Sequence, residues 1–478
     1  MELERFLLGT SFAKNMEKVD ELYKELYVDE LHTGHPMELY RYIDLQMDNK
    51  YEIHAISDLH ADVRRFLEIL KLAEFINDDV DMAYPIKNLR WNPKMTDKII
   101  VICGDIIDGK RGIDNHKTTN CDELLIHMLI FNLRILARAH NSYVFCTMGN
   151  HDFFAFHATK RSGMELAYKN YIDSRSLEFY ESRMRTFLMS NVSSEAAINI
   201  ESYTNEMDLM YIYRAHLLSR FYLIGFPPFL KINKTLFAHA GFHLKTNVFS
   251  LFEESSINSQ SLQPHSLHRS ILEALSIKEN IAGYLTNQST EGIKISYSDM
   301  YNNIIDNIFP LVEADTYEMS IKGTPAKNVL GPYRELMDRH TQLSSMFEDL
   351  LLTRKLQKDC GAVDELLMMY GCNSLVVGHC PTCVGPSVFD PKNTIGITSC
   401  DDARIVYSCN SNLVTVDIAM SSAFSPNRKF LELLKIVNMG DVVQNVFTMR
   451  YYFDSKRVQQ YNEKVFDGEE WIEMPGEM

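Results

Sequence analysis

Six residues have types and settings that could hold metal ions: Asp58, His60, Asp105, Asn150, His239 and His379. Each stands where a run of strand character stops. Asp58 and His60 lie in Ser57-Asp58-Leu59-His60, Asp105 in Gly104-Asp105-Ile106-Ile107-Asp108-Gly109, and Asn150 in Gly149-Asn150-His151-Asp152. The last two follow in Phe237-Ala238-His239-Ala240-Gly241 and Val376-Val377-Gly378-His379. Asp58 and His60 are two apart, a spacing that aims both side chains to one side of extended chain. Gly104 and Gly149 let the backbone turn sharply and come close to an ion or a phosphate. Carboxylates, an amide oxygen and imidazoles together suit Mn, Fe or Zn better than Ca or Mg, which prefer oxygen alone. One such motif by itself is more often a turn or a helix cap than a ligand. Five in order, at strand ends, reverse that expectation.

The elements that must position these residues can be read from periodicity. Tyr51–Ser57, Lys98–Cys103 and Tyr143–Met148 are short β-friendly runs. Leu59–Phe75 and residues 122–140 carry helical spacing between them. This β-α-β-α-β order implies parallel strands buried on both faces, with ligands gathered beyond their carboxyl ends. Phe229–Ala240 reads as a strand pair turning at Asn233-Lys234. Further strands are expected at Leu375–Gly378, Thr394–Ser399, Arg404–Ser408, Leu413–Ile418 and Val442–Phe453. Helical patterns dominate 153–222 and 265–371, and Glu254–Ser266 reads as a mobile loop. The expected organisation is a β-rich core over 51–245 and 331–455 with a helical and loop insertion at 246–330. A helical extension occupies 1–50 and a tail 456–478.

Composition narrows the partners. Of 478 residues, 48 are Lys or Arg against 64 Asp or Glu, a formal charge of −16. Such a surface repels long nucleic acids and anionic membranes and attracts metal cations. The opening Met-Glu-Leu-Glu-Arg is too acidic for a signal peptide, and no run approaches eighteen apolar residues. Nine cysteines, an odd number with several in apolar runs, read as reduced core thiols and point to a cytoplasmic location. Cys380-Pro381-Thr382-Cys383 has redox or half-zinc spacing, but no second pair accompanies it, and neither role is expected. His54, inside the first strand, is expected to be a satisfied core residue. Nothing in the sequence fixes the oligomeric state.

The ordered pattern Asp-x-His, Gly-Asp-x-x-Asp, Gly-Asn-His-Asp, His-Ala-Gly and Gly-His resembles that of calcineurin-like metallophosphoesterases. Within them the chain looks closest to serine/threonine protein phosphatases of the bacterial, Shewanella-like branch. Gly331-Pro332-Tyr333-Arg334, Val376-Val377-Gly378-His379-Cys380-Pro381 and Thr415-Val416-Asp417-Ile418-Ala419-Met420-Ser421 resemble that branch's elements. The resemblance implies an α/β sandwich of two mixed sheets flanked by helices, here with a large helical insertion. It implies two transition-metal ions (Mn, Fe or Zn), with Asp58 and His60 on the first and Asp105 bridging. Asn150, His239 and His379 would hold the second. Two ions roughly 3.5–4 Å apart can share a water, lower its pKa and clamp phosphoryl oxygens for in-line attack. His151 would protonate the leaving oxygen, oriented by Asp108. Asn150, Arg334 and Arg111 would contact the phosphate. Arg111 is displaced within Asp108-Gly109-Lys110-Arg111-Gly112, where the branch has Asp-Arg-Gly. Pro381 stands where broader relatives carry a second His.

The implied reaction is hydrolysis of a phosphate monoester on a phosphorylated protein or small phosphoester. Hydrolysis of a dinucleoside polyphosphate or nucleotide phosphodiester on the same ions is the enzymatic alternative. A metal-stabilised scaffold without turnover is the other, against which the retained His151 and Asp108 argue.

Overall fold

Runs rich in Ile, Val and Phe form the centre of two mixed sheets. The computed structural model describes residues 44–80, 85–109, 123–152, 229–242, 356–387, 397–439, 443–453, 458–466 and 471–473, together with 172, 176, 226, 389, 392, 394 and 396. In chain order the elements are β1 (Asp44–Leu45), β2 (Glu52–Ile56), α1 (Val63–Leu72), α2 (Pro85–Asn88), β3 (Lys98–Ile102), α3 (Glu123–Arg138) and β4 (Tyr143–Cys146). Then come β5 (Phe229–Ile232), β6 (Thr235–Ala238), α4 (Cys360–Tyr370), β7 (Ser374–Val377), β8 (Val406–Ser408) and β9 (Leu413–Thr415). Four strands complete the set: β10 (Phe430–Met439), β11 (Val443–Tyr452), β12 (Val458–Phe466) and β13 (Trp471–Glu473).

Among the described residues, one sheet runs β1-β5-β6-β7-β9-β8 and the other β13-β12-β11-β10-β2-β3-β4. Each contains a parallel triple: β2, β3 and β4 in the second sheet, and β6, β7 and β9 in the first. The remaining neighbours are antiparallel except β1 against β5. One apolar core joins both, with Ile53, Val101 and Leu433 of one sheet sharing it with Leu230, Phe237 and Val376 of the other. A buried polar pin crosses the same space. Gln444 Nε2 donates to Thr235 Oγ1 at 2.9 Å, and its Oε1 accepts from Ser374 Oγ at 3.4 Å. α1 follows β2 because Asp62 caps it, accepting from the Arg65 amide at 3.0 Å, while Val63, Phe66, Leu67 and Leu70 bury one face.

Several expectations change. None of the described residues of the expected strand Thr394–Ser399 is in a strand. Thr398 and Ser399 hydroxyls both donate to Asp402 and close a turn that competes with strand pairing. β10 is a ten-residue strand, although its Leu-Glu-Leu-Leu-Lys run consists of helix formers. Pairing with β2 and β11 on either side overrides that propensity. The stretch 456–478 contributes β12 and β13 to the sheet, and β1 falls within 1–50. Cysteines differ most. Cys360–Cys409 and Cys383–Cys400 are disulfides, so these four are not reduced thiols, and the argument for a reducing compartment loses its basis. Cys103, Cys146, Cys372 and Cys380 are buried free thiols, as expected. His54 lies in the core against Phe75, its Nε2 3.6 Å from Glu52 Oε2, just beyond hydrogen-bond length, and burial lowers its pKa. The insertion at 246–330, the loop Glu254–Ser266 and nearly all of 153–222 lie outside the described residues, as do Arg111 and Arg334. Among the described residues no helix is long and apolar enough to cross a membrane.

Candidate metal centre

The two parallel triples aim their carboxyl ends at one place. Asp58 and His60 follow β2, Asp105 and Asp108 follow β3, and Asn150 and His151 follow β4. From the other sheet, His239 follows β6 and His379 follows β7. Ligand-type oxygen and nitrogen atoms of Asp58, His60 and Asp105 lie within 4.8 Å of one another. On the opposite side of Asp105, His239 Nε2 is 2.8 Å from Asn150 Oδ1, 3.4 Å from Asp105 Oδ1 and 3.2 Å from His379 Nδ1. His379 Nδ1 is also 3.0 Å from Asn150 Oδ1. The structure therefore brings together all six expected ligand residues.

The backbone bends hard to achieve this. His60, Asp105, Asp108 and His379 have φ of +46°, +46°, +63° and +64°. Left-handed backbone costs an L-residue about 1–2 kcal/mol each. Local hydrogen bonds hold these conformations. The Asp105 carbonyl accepts from the amides of Leu59 and His60 at 3.0 and 2.8 Å, and Asp105 Oδ1 accepts from the His151 amide at 2.9 Å. Two glycines are required by space. A Cβ on Gly149 would fall on the Asp105 amide nitrogen and carboxylate, and one on Gly378 would fall on Asp58 Oδ1.

The donor chemistry fits a cation. His239 Nδ1 donates to the Cys103 carbonyl at 2.8 Å, so in the neutral ring the Nε2 lone pair faces Asn150 and Asp105 oxygens. Electron-rich atoms facing one another at these distances call for positive charge between them. Titration carries the same signature. Burial would lower the His239 pKa, but Asp105 and Asp58 outweigh it and push it up to about 10. Burial also acts to raise the Asp105 carboxyl, yet His239, His151 and His60 hold it well below the usual range. Asp58, which faces Asp417 as well, is pushed well above its ordinary value by burial and then by that neighbour.

His151 is paired with Asp108. Its Nδ1 donates to Asp108 Oδ2 at 2.8 Å, which turns Nε2 toward the donor cluster, 3.9 Å from Asp105 Oδ2. Asp108 is itself buried, its amide donating to Glu123 at 3.1 Å. Sequence reasoning missed Asp152. Its Oδ1 accepts from the Ile106 and Ile107 amides at 2.9 and 3.3 Å, and its Oδ2 from the Gly149 amide at 2.8 Å. It thereby clamps the turn bearing Asp105 and Asp108 to the turn bearing Asn150 and His151. Its place in Gly-Asn-His-Asp was the available signal. Asp62 was missed too. While capping α1, its Oδ2 accepts from the Ser422 amide at 2.7 Å and ties the first motif to the loop after β9.

Residues 51–273 match the family model described as calcineurin-like phosphoesterase. No curated protein matches the chain. Among solved structures, the chain is similar to a cold-active protein tyrosine phosphatase at 15% identity and a TM-score of 0.41, covering 88% of this chain and 82% of that one. Against a cold-active protein-tyrosine phosphatase of a psychrophilic Shewanella species the values are 16% and 0.38, over 88% and 84%. Against a protein serine/threonine phosphatase from Saccharomyces cerevisiae they are 12% and 0.36, over 99% and 97%. The matched stretch opens one residue before β2 and takes in five of the six converging ligand positions, His379 following on β7. Residues 51–273 thus match a calcineurin-like phosphoesterase domain, and five of the converging donors lie at the ends of its strands.

Proposed function

We propose that the chain hydrolyses phosphate monoesters with two transition-metal ions, and that its substrates are phosphorylated protein side chains. The observation that carries this reading is the meeting of six donor residues and the His151–Asp108 pair in one cluster, buried but for the half-buried His379. Asp58, His60 and Asp105 would hold one ion, and Asp105, Asn150, His239 and His379 the other, drawn from Mn, Fe or Zn. Such a pair, when bound, supplies an activated water and neutralises phosphoryl charge. The chain's own side chains do the rest. His151 Nε2 gives its proton to the leaving oxygen, while Asp108 fixes the ring and stabilises its charge. Asn150 contributes its amide to the phosphate. Arg334, and more weakly Arg111, are proposed from the motif resemblance to grip the phosphate oxygens, a planar guanidinium being suited to two at once. The protein-phosphate class rests on the same resemblance.

Turnover of p-nitrophenyl phosphate with Mn2+ tests the chemistry. Phosphoserine, phosphothreonine and phosphotyrosine peptides beside diadenosine tetraphosphate then test the class. Cleavage of the nucleotide alone would reject the protein-phosphate reading, and two bound metals without any turnover would indicate a scaffold. Asp105→Asn should lose both metals, because Asp105 faces both groups of donors. Full occupancy of that variant by elemental analysis would remove the assignment.

A further inference from the structure

We propose that Asp417 is a positioning residue for the Asp58 side of the metal centre, acting through the Ser57 hydroxyl; this rests on the dimetal reading above. In the parallel triple β6, β7, β9, the first two strands are followed by His239 and His379. Asp417 stands two residues beyond the third, at the same end of the sheet. It is a buried carboxylate, 2% exposed, as is Asp58. Asp417 Oδ1 accepts from Ser57 Oγ at 3.2 Å and from the Ala419 amide at 2.9 Å. Ser57 Oγ in turn accepts from the Ile418 amide at 3.2 Å. The hydroxyl is thus fixed in both directions, and Ser57 directly precedes Asp58. From the other side, Asp58 Oδ2 accepts from the His379 amide at 3.1 Å. The turn carrying Asp58 is therefore held between two loops of the opposite sheet. Those loops are also joined to each other, because the Thr382 amide donates to the Asp417 carbonyl at 3.1 Å.

Charge gives the arrangement a direction. Among the described residues Asp417 forms no ion pair with a lysine or arginine. A second buried carboxylate beside Asp58 is unfavourable in an empty pocket and favourable when a cation lies against Asp58. Outer partners that fix the place of a ligand tune the affinity for its metal, and here the link to Asp58 runs through Ser57. The plain structural use of Asp417 is to hold the left-handed turn at Ala419, where φ is +53°. That use would serve stability and leave metal binding untouched.

Mn2+ binding to the full-length, metal-free protein separates these roles, measured by competition with a fluorescent chelator, with elemental analysis for stoichiometry. Asp417→Asn keeps the shape and removes the charge. It should weaken one Mn2+ equivalent by about 10–100-fold, the usual effect of such outer partners. Ser57→Ala should weaken the same equivalent, and the double variant should lose less than the product of the two effects. Wild-type Mn2+ affinity in both single variants, with a lowered melting temperature of the metal-free form, would overturn the proposal and leave the turn-holding role. Should Asp417→Asn fail to fold, Ser57→Ala decides alone, unchanged affinity overturning the proposal. Absence of Mn2+ binding by the wild type would instead overturn the dimetal reading, and this inference with it.

Discussion

At the scale of single residues, the site concentrates backbone cost where side chains must converge. His60, Asp105, Asp108 and His379 all occupy left-handed conformations, and each carries a proposed role. Side-chain type and order made these residues legible, because metal ligands must be Asp, Asn or His and must sit at turns. Asp152, Asp62 and Asp417 were not legible in the same way. Their partners are largely backbone amides and hydroxyls, and Asp417 meets Ser57 across 360 positions of sequence. No local pattern encodes such a contact. The His151–Asp108 hydrogen bond gives a sharp expectation at this scale. His151→Asn should keep the metals yet lower kcat on substrates with poor leaving groups by about 10²–10⁴-fold, the usual worth of a general acid. Activated aryl phosphates should lose much less, since their leaving oxygen departs unprotonated. Steady-state kinetics on both substrate types checks this, and an equal loss would give His151 another task.

At the scale of elements, strands flanked by turn residues were readable and strands built from helix formers were not. β5 and β6 emerged with their Asn233-Lys234 turn, whereas β10 was hidden by its leucines and glutamate. Once formed, β10 is tied to its neighbours by charge. Glu52 on β2 meets Lys98 on β3 at 2.8 Å and Lys435 on β10 at 3.1 Å. The nearby His54 ring holds the Glu52 carboxyl below its usual range, with burial opposing and both lysines adding to the effect. The folded value is depressed, so this contribution is complete above the unfolded carboxylate value of about 4.3 and is lost progressively as pH falls from there through the lower folded value. Glu52→Gln should therefore be less stable than wild type at pH 7, and the gap should narrow steadily as pH falls from about 5 to 2. Denaturant unfolding across that range measures it, and parallel pH profiles would count against the strand-tying role. The loop after β9 offers a second test. Ala419 holds φ of +53°, in the region that favours glycine. Relief of about 1–2 kcal/mol of left-handed cost exceeds the roughly 0.5–1 kcal/mol entropy penalty of glycine. Ala419→Gly should thus gain about 0.5–1 kcal/mol by urea unfolding, and a loss would show that this turn is not strained.

At the scale of the whole molecule, the cysteines decide how the half of the fold bearing His379 and Asp417 is held. Odd number and apolar surroundings argued for thiols throughout, and burial explains why that holds for Cys103, Cys146, Cys372 and Cys380. Disulfide partners are set by three-dimensional proximity, which spacing along the chain does not carry. Cys360 at the start of α4 is bridged to Cys409 in the turn between β8 and β9, 49 positions away. Cys383, just past His379, is bridged to Cys400, 17 positions away. The first bridge closes a loop that contains α4, β7 and β8, and the second ties together the connection between β7 and β8, just past His379. Loops of these lengths correspond to about 3–4 kcal/mol each in the chain-entropy account. The oxidised protein should therefore melt several degrees above the same preparation treated with reductant. Cys360→Ser/Cys409→Ser and Cys383→Ser/Cys400→Ser should each reproduce part of the difference. Thiol titration supplies the independent check. Of nine cysteines, four are bridged, so at most five should react in denaturant without reductant, and all nine after reduction. Nine reactive thiols before reduction, together with a melting temperature indifferent to reductant, would show that the bridges do not form in solution.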